Sequence, residues 1–131
     1  MYLLDTDILI YSFKGNKRVI ENLKLHADAP KALSVISYGE LIYGANKSIQ
    51  VSSNLARVHR LREIFPVIDC SASILECFGS IKAQLSQKGI TVDDFDLLIG
   101  STAMTLGYTV VTNNEKHFSK IPDLKITNWT K

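Results

Sequence analysis

Cysteine is scarce in this chain of 131 residues: Cys70 and Cys77 are the only two, too few for a disulfide-stapled secreted domain. They read as free thiols in or near a core. No apolar run approaches the roughly 20 residues needed to span a bilayer. The start, Met1-Tyr2-Leu3-Leu4-Asp5, lacks the basic segment that opens a signal peptide, so the expected location is cytoplasmic. Net charge is small too, at +2, and 46% hydrophobic residues stand against 21% charged, which excludes disorder. A chain of this length buries roughly two-thirds of the surface its unfolded form exposes, so neither a metal nor a partner is needed merely to fold. A P-loop, a Gly-x-Gly-x-x-Gly and an EF-hand loop are all missing. Cys70, Cys77, His26, His59 and His117 fall at no zinc-binding spacing.

What is present alternates between strand-like and helix-like segments. Tyr2 to Leu4 reads as a strand, followed by an apolar segment from Ile8 to Phe13. Val19, Ile20, Leu23 and Ala27 recur at helical spacing from Lys17 onward. Beyond Pro30, Ala32 to Ile36 reads as a second strand and Ser37 as the start of a helix carrying Glu40. After a polar connection over 47–53, Leu55, Val58, Leu61, Ile64 and Phe65 outline an amphipathic helix whose other face carries Arg57, Arg60 and Arg62. Val67 to Asp69 is a short strand and Ala72 to Gln87 a long helix stopped by Lys88-Gly89. Thr91 to Asp94 starts a helix, Phe95 to Leu106, that is apolar almost all round. Tyr108 to Thr112 is a strand, Asn113 to Phe118 a loop or single turn, and Leu124 to Thr127 a last strand. The expectation is an α/β fold around a mostly parallel sheet, in one domain over residues 1–131.

In such a sheet ligands bind beyond the carboxyl ends of the strands, near the point where strand order reverses. Asp5 follows the first strand, Glu40 follows the second, Asn113-Asn114-Glu115 follow the fourth, and Asp96 opens the helix before it. Capping accounts for several of these singly. Ser37 to Glu40 matches a capping box, Thr91 to Asp94 matches it less well, and Asp5 suits an N-cap. Caps do not account for Asp7, Asp93 and Asp96 as well. Carboxylates gathered in a partly dry site repel one another and lose hydration, so the set calls for a compensating cation. Mg²⁺ or Mn²⁺ suits oxygen donors. His117 reads equally as a surface residue or as a contact to a substrate phosphate.

Four motifs, in this order and context, carry a resemblance: Leu3-Leu4-Asp5-Thr6-Asp7-Ile8-Leu9-Ile10, Ser37-Tyr38-Gly39-Glu40-Leu41-Ile42-Tyr43-Gly44, Asp94-Phe95-Asp96-Leu97-Leu98-Ile99-Gly100 and Val110-Val111-Thr112-Asn113-Asn114. Together they resemble the PIN-domain ribonucleases, specifically the VapC-type toxins of toxin–antitoxin modules, over essentially the whole chain. The resemblance implies a three-layer α/β/α fold and a Mg²⁺- or Mn²⁺-dependent endoribonuclease. In it Asp5, Glu40 and Asp96 hold the metal, and metal-activated water attacks in line to leave a 5′-phosphate and a 3′-hydroxyl. Asn114 falls where many members carry a fourth acid, a departure for which Glu115, Asp94 or Asp7 are the candidate substitutes. Thr6 and Thr112 match positions that orient a carboxylate or water, and local capping explains them equally well. Lys14, Lys17, Arg18, Lys47, Arg57, Arg60 and Arg62 are the candidates for phosphate contacts. The implied partners are an RNA, transfer or ribosomal, and a VapB-type antitoxin able to place a basic side chain in the acidic groove. The implied assembly is a homodimer, or a heterotetramer or larger with antitoxin.

Two rival readings stand beside it. Asp5-Thr6-Asp7 after an apolar strand also resembles the haloacid-dehalogenase phosphatases, with Asp5 as nucleophile, a reading that requires a downstream lysine. A catalytically inert PIN-like module that binds RNA or protein is favoured only by Asn114.

Overall fold

The computed structural model describes all residues, Met1–Lys131. Five short strands form the sheet. They are β1 (Tyr2–Leu4), β2 (Lys31–Ser34), β3 (Val67–Ile68), β4 (Thr109–Val111) and β5 (Ile126–Thr127). All pair in parallel, in the order β3-β2-β1-β4-β5. The helices are α1 (Thr6–Phe13), α2 (Lys17–Leu25), α3 (Val35–Asn46), α4 (Val51–Ile64), α5 (Ala72–Gln87), α6 (Asp94–Leu106) and the single turn α7 (Glu115–Phe118). Consecutive buried residues of β1, β2 and β4 face opposite sides and divide the core in two. Leu3, Ala32 and Val110 therefore pack with Ile81, Leu85, Leu97 and Ile99 of α5 and α6. Leu4, Leu33 and Val111 pack with Ile8, Val19, Leu41, Val58 and Leu61 of α1 to α4 and with Trp129. The result is the expected α/β/α layering. No helix is long and apolar enough to cross a membrane.

Two helix starts differ from the sequence expectation, and both differences free acidic side chains. β2 ends at Ser34, where its ladder with β3 runs out at the Ser34–Ile68 pair. Val35 and Ile36, β-branched and strand-like in isolation, become the first turn of α3, and Ser34 is the cap, its Oγ accepting from Ile36 N at 3.1 Å. The Ser37–Glu40 capping box does not form: Ser37 is the third residue of the helix, buried, and its Oγ has no hydrogen-bond partner. At α6 the cap is Asp93, accepting from Phe95 N at 3.1 Å. Asp94 turns outward to Lys82 at 2.8 Å. Two smaller corrections concern α4, which begins at Val51 and so shortens the polar connection to 47–50, and Ile64, which is exposed.

Candidate active site

The geometry begins with the register of two neighbouring strands. Leu4 pairs with Val111, so the next residue on each, Asp5 and Thr112, leave the sheet side by side. Thr112 Oγ1 donates to Asp5 Oδ2 at 2.7 Å, and Thr6 N donates to Asp5 Oδ1 at 2.8 Å as the cap of α1. From the second turn of α3, Glu40 Oε1 accepts from Thr6 Oγ1 at 2.7 Å. Thr6 thus ties two carboxylates together, its amide holding one and its hydroxyl the other. Asp96 enters from the first turn of α6, with Oδ2 at 3.2 Å from His117 Nδ1. That same ring nitrogen lies 2.9 Å from the Asn114 side-chain amide. One nitrogen cannot donate to the carboxylate and accept from an NH₂ together, so the consistent assignment has Nδ1–H facing Asp96 and the Asn114 amide oxygen facing the ring.

Asp5, Asp7, Glu40, Asp96, Asn113 and Asn114 line one pocket of about 330 Å³, together with Thr6 and Ile10. No lysine lines it, which removes the observation that the phosphatase reading requires. Burial, with the Asp7 charge beside it, lifts the Asp5 carboxyl from 3.8 to about 7, against the bonds from Thr112 and Thr6 that lower it. Burial is also the largest cause of the upward shifts at Asp7, Glu40 and Asp96, and the acidic neighbours add to each. Asp96 opposes the charged forms of Asp5, Asp7 and Glu40, and Asp93 opposes that of Asp96, a concentration of negative charge that a hard divalent cation would offset. By donor type and charge the residues fit such an ion. No three acidic, histidine or cysteine side chains are drawn around one point at chelating distance, so the donors form a pocket wall and not a finished cage.

Of the three substitutes for the missing fourth acid, two lie elsewhere. Asp94 is bound to Lys82. Glu115 is held by Lys131 at 2.8 Å and Asn128 at 3.1 Å, bonds that keep its carboxyl below the usual range. Asp7 alone lines the pocket. The basic residues separate as clearly. Lys14 and Arg57 border a groove of about 270 Å³ that shares Ile10 and Glu40 with the acidic pocket, and the Arg57 guanidinium sits 5.3 Å from the Phe13 ring centre. Arg60 is outside this groove, and Arg62 lies over Tyr38 at 5.5 Å. Lys47 borders a further cavity of about 730 Å³, 5.1 Å from the Tyr43 ring centre. Lys17 and Arg18 are exposed on α2. Asn113, whose amide donates to Asp7 Oδ2 at 3.1 Å, is a site residue that sequence reasoning placed only by its position after β4.

A parallel α/β sheet that brings acidic side chains from three segments to the adjoining ends of its central strands defines a class of fold with an acidic pocket at the sheet's carboxyl edge. The PIN domain profile matches residues 2–124, and the chain belongs to the PIN-domain family, in its VapC branch. It is 37% identical to Ribonuclease VapC2 of Rickettsia felis over 100% of this chain and 99% of that one. It is 34% identical to the tRNA(fMet)-specific endonuclease VapC of Salmonella typhimurium over 98% and 97%. Among solved structures it is similar to VapBC2 of Rickettsia felis bound to a promoter DNA fragment, with a TM-score of 0.91 and 36% identity over 98% of both chains. It is also similar to DNA-bound VapBC of Salmonella typhimurium, with a TM-score of 0.90 and 34% identity over 98% and 97%.

Proposed function

We propose that this chain is a divalent-metal-dependent endoribonuclease, the toxin of a VapB–VapC pair, and that its substrate is a structured RNA, a transfer RNA before a ribosomal one. The observation that carries the reading is the pocket itself: carboxyls gathered from three segments, each raised by burial, with no lysine or arginine among the lining residues. Asp5, Glu40 and Asp96 would hold Mg²⁺ or Mn²⁺, which supplies charge stabilisation at the scissile phosphate and an activated water. Thr112 and Thr6 fix the carboxylates of Asp5 and Glu40 by short bonds, and His117 orients Asp96. Lys14 and Arg57 line the neighbouring groove, which shares Ile10 and Glu40 with the pocket, and would hold backbone phosphates flanking the cut. No side chain need act as nucleophile.

The two solved structures described above are VapBC complexes, which supports a VapB-type antitoxin as partner, with the acidic pocket able to receive one of its basic side chains. Purified protein should cleave transfer RNA in the presence of Mg²⁺ or Mn²⁺, lose cleavage in EDTA, and lose it as Asp5→Asn or Asp96→Asn while staying folded. Mapping the new 5′ ends identifies the target. Undiminished cleavage by either variant, or cleavage that persists in EDTA, refutes the reading; RNA binding with no cleavage by the unaltered chain would favour the inert module instead.

A further inference from the structure

We infer that Asp7 is the fourth carboxylate of this pocket, a ligand-side group for the divalent cation that takes over the charge Asn114 does not provide. The inference rests on the metal-dependent reading above. Asp7 Oδ2 is tethered by the Asn113 amide at 3.1 Å. Asn113 is itself fixed on three sides: its Oδ1 accepts from Asn128 Nδ2 at 3.1 Å and Thr130 Oγ1 at 2.9 Å, and its Nδ2 donates to Tyr11 OH at 3.2 Å. Between those two clamping residues, Trp129 is anchored in the core. The tether is therefore built from the C-terminal segment and sets the orientation of Asp7 from outside the pocket.

The other oxygen, Oδ1, is fully buried and has no hydrogen-bond partner. Such a group is costly unless something completes it. Asp5 cannot donate to it as a carboxylate, and both Asp5 oxygens already accept bonds from Thr6 and Thr112. What completes it is a cation or a proton shared with Asp5, which lines the same pocket. The surrounding acids decide for the cation, since Glu40 and Asp96 share the pocket and keep one oxygen each without a bond. Asn114 is neutral, and its amide is engaged by His117.

Asp7→Asn separates the two possibilities. The substitution keeps an acceptor for the Asn113 amide and gives Asp5 an NH₂ donor, so the proton-bridge arrangement would be reproduced and only the charge lost. Calorimetric titration of full-length protein with Mn²⁺ should show at least tenfold weaker binding for Asp7→Asn, with a metal-free melting temperature equal to or above that of the unaltered chain. Asp7→Ser, which also removes the carboxylate, should weaken Mn²⁺ binding to the same extent, and it replaces Asp7→Asn if that variant misfolds. Asp94→Asn removes a charge two residues from Asp96 but bound to Lys82, and should bind Mn²⁺ as the unaltered chain does. Equal Mn²⁺ affinity in the unaltered chain and both Asp7 variants overturns the assignment and leaves the metal-dependent reading standing. Absence of Mn²⁺ binding by the unaltered chain overturns both.

Discussion

Folding this chain at neutral pH buries a carboxyl that the unfolded chain holds ionised, and pH is the perturbation that exposes the cost. Asp5 is 5% exposed, and burial with the neighbouring Asp7 raises its carboxyl from 3.8 to about 7. The folded state therefore holds a proton that the unfolded chain has released anywhere between those two values. Stability rises with pH only where the unfolded state binds more protons, so here it falls as pH rises through this window. At about 1.4 kcal/mol per tenfold change in proton concentration, the full window is worth about 4 kcal/mol, carried by Asp5 and Asp7 titrating as a pair. The part between pH 5 and 7 is about 3 kcal/mol, or about 10 °C in Tm for a domain of this size. Asp7, Glu40 and Asp96 are raised as well and act in the same sense. The assay is urea or thermal unfolding in EDTA at half-unit steps from pH 5 to 8, with Asp5→Asn alongside. The unaltered chain should be less stable at pH 8 than at pH 5, the Asp5→Asn variant should lose most of that slope, and Mn²⁺ at pH 8 should restore the lost stability to the unaltered chain. A stability that stays flat or rises over this range, or a slope unchanged in Asp5→Asn, would refute the account.

Thr112→Val removes the donor to Asp5 and the acceptor for Asn114 N at 2.8 Å. It should cost about 1–3 kcal/mol in urea unfolding and lower cleavage at least tenfold at saturating RNA. Arg57→Ala and Lys14→Ala should each weaken RNA binding and flatten its dependence on salt, whereas Arg60→Ala, outside the groove, should change binding less than twofold; fluorescence anisotropy over a salt series reads both. Trp129 is 3% exposed, with ring centres 4.7 Å from His26 and 5.1 Å from Tyr2. Trp129→Ala should destabilise by about 3–5 kcal/mol in the same unfolding assay.

Elements bracketed by their own local signals were legible, and those ended by a neighbour were not. The Lys88-Gly89 pair marks the end of α5, and the structure has the helix at Ala72–Gln87, with Ser71 as its N-cap. Val35-Ile36 reads as strand by residue type, but where a strand stops depends on its partner, and β3 offers β2 nothing to pair with past Ser34. The site divides in the same way. Asp5, Glu40 and Asp96 stand near strand ends or a helix start, so their meeting could be argued from a parallel sheet alone. That Asp94 faces Lys82 while Asp96 faces the pocket is a matter of helix phase once the cap is Asp93. The clamp of Asn128 and Thr130 on Asn113 has no sequence signal, because it depends on β5 lying beside β4. Among the arginines, only the packing of α4 against α1 and α3 shows that Arg57 borders the groove.

The hydrogen bonds at the pocket follow one rule that bears on why so costly an arrangement folds. Asp7, Glu40 and Asp96 each have a single oxygen tethered, by Asn113 N, Thr6 Oγ1 and His117 Nδ1 respectively. Asp5, the most buried, has both oxygens satisfied, by Thr6 N and Thr112 Oγ1. Each tether lowers the cost of burying its carboxylate and fixes the side chain, yet leaves the outer three with an oxygen to spare. Removing those bonds by placing apolar residues at Thr6 and Thr112 would raise the cost of charge without removing the charge. Asp5 is the helix cap among the four, and it is the one fully satisfied. An oxygen left free on three of four acids is a cost that, on the metal-dependent reading proposed above, binding of a cation or a cationic side chain would offset.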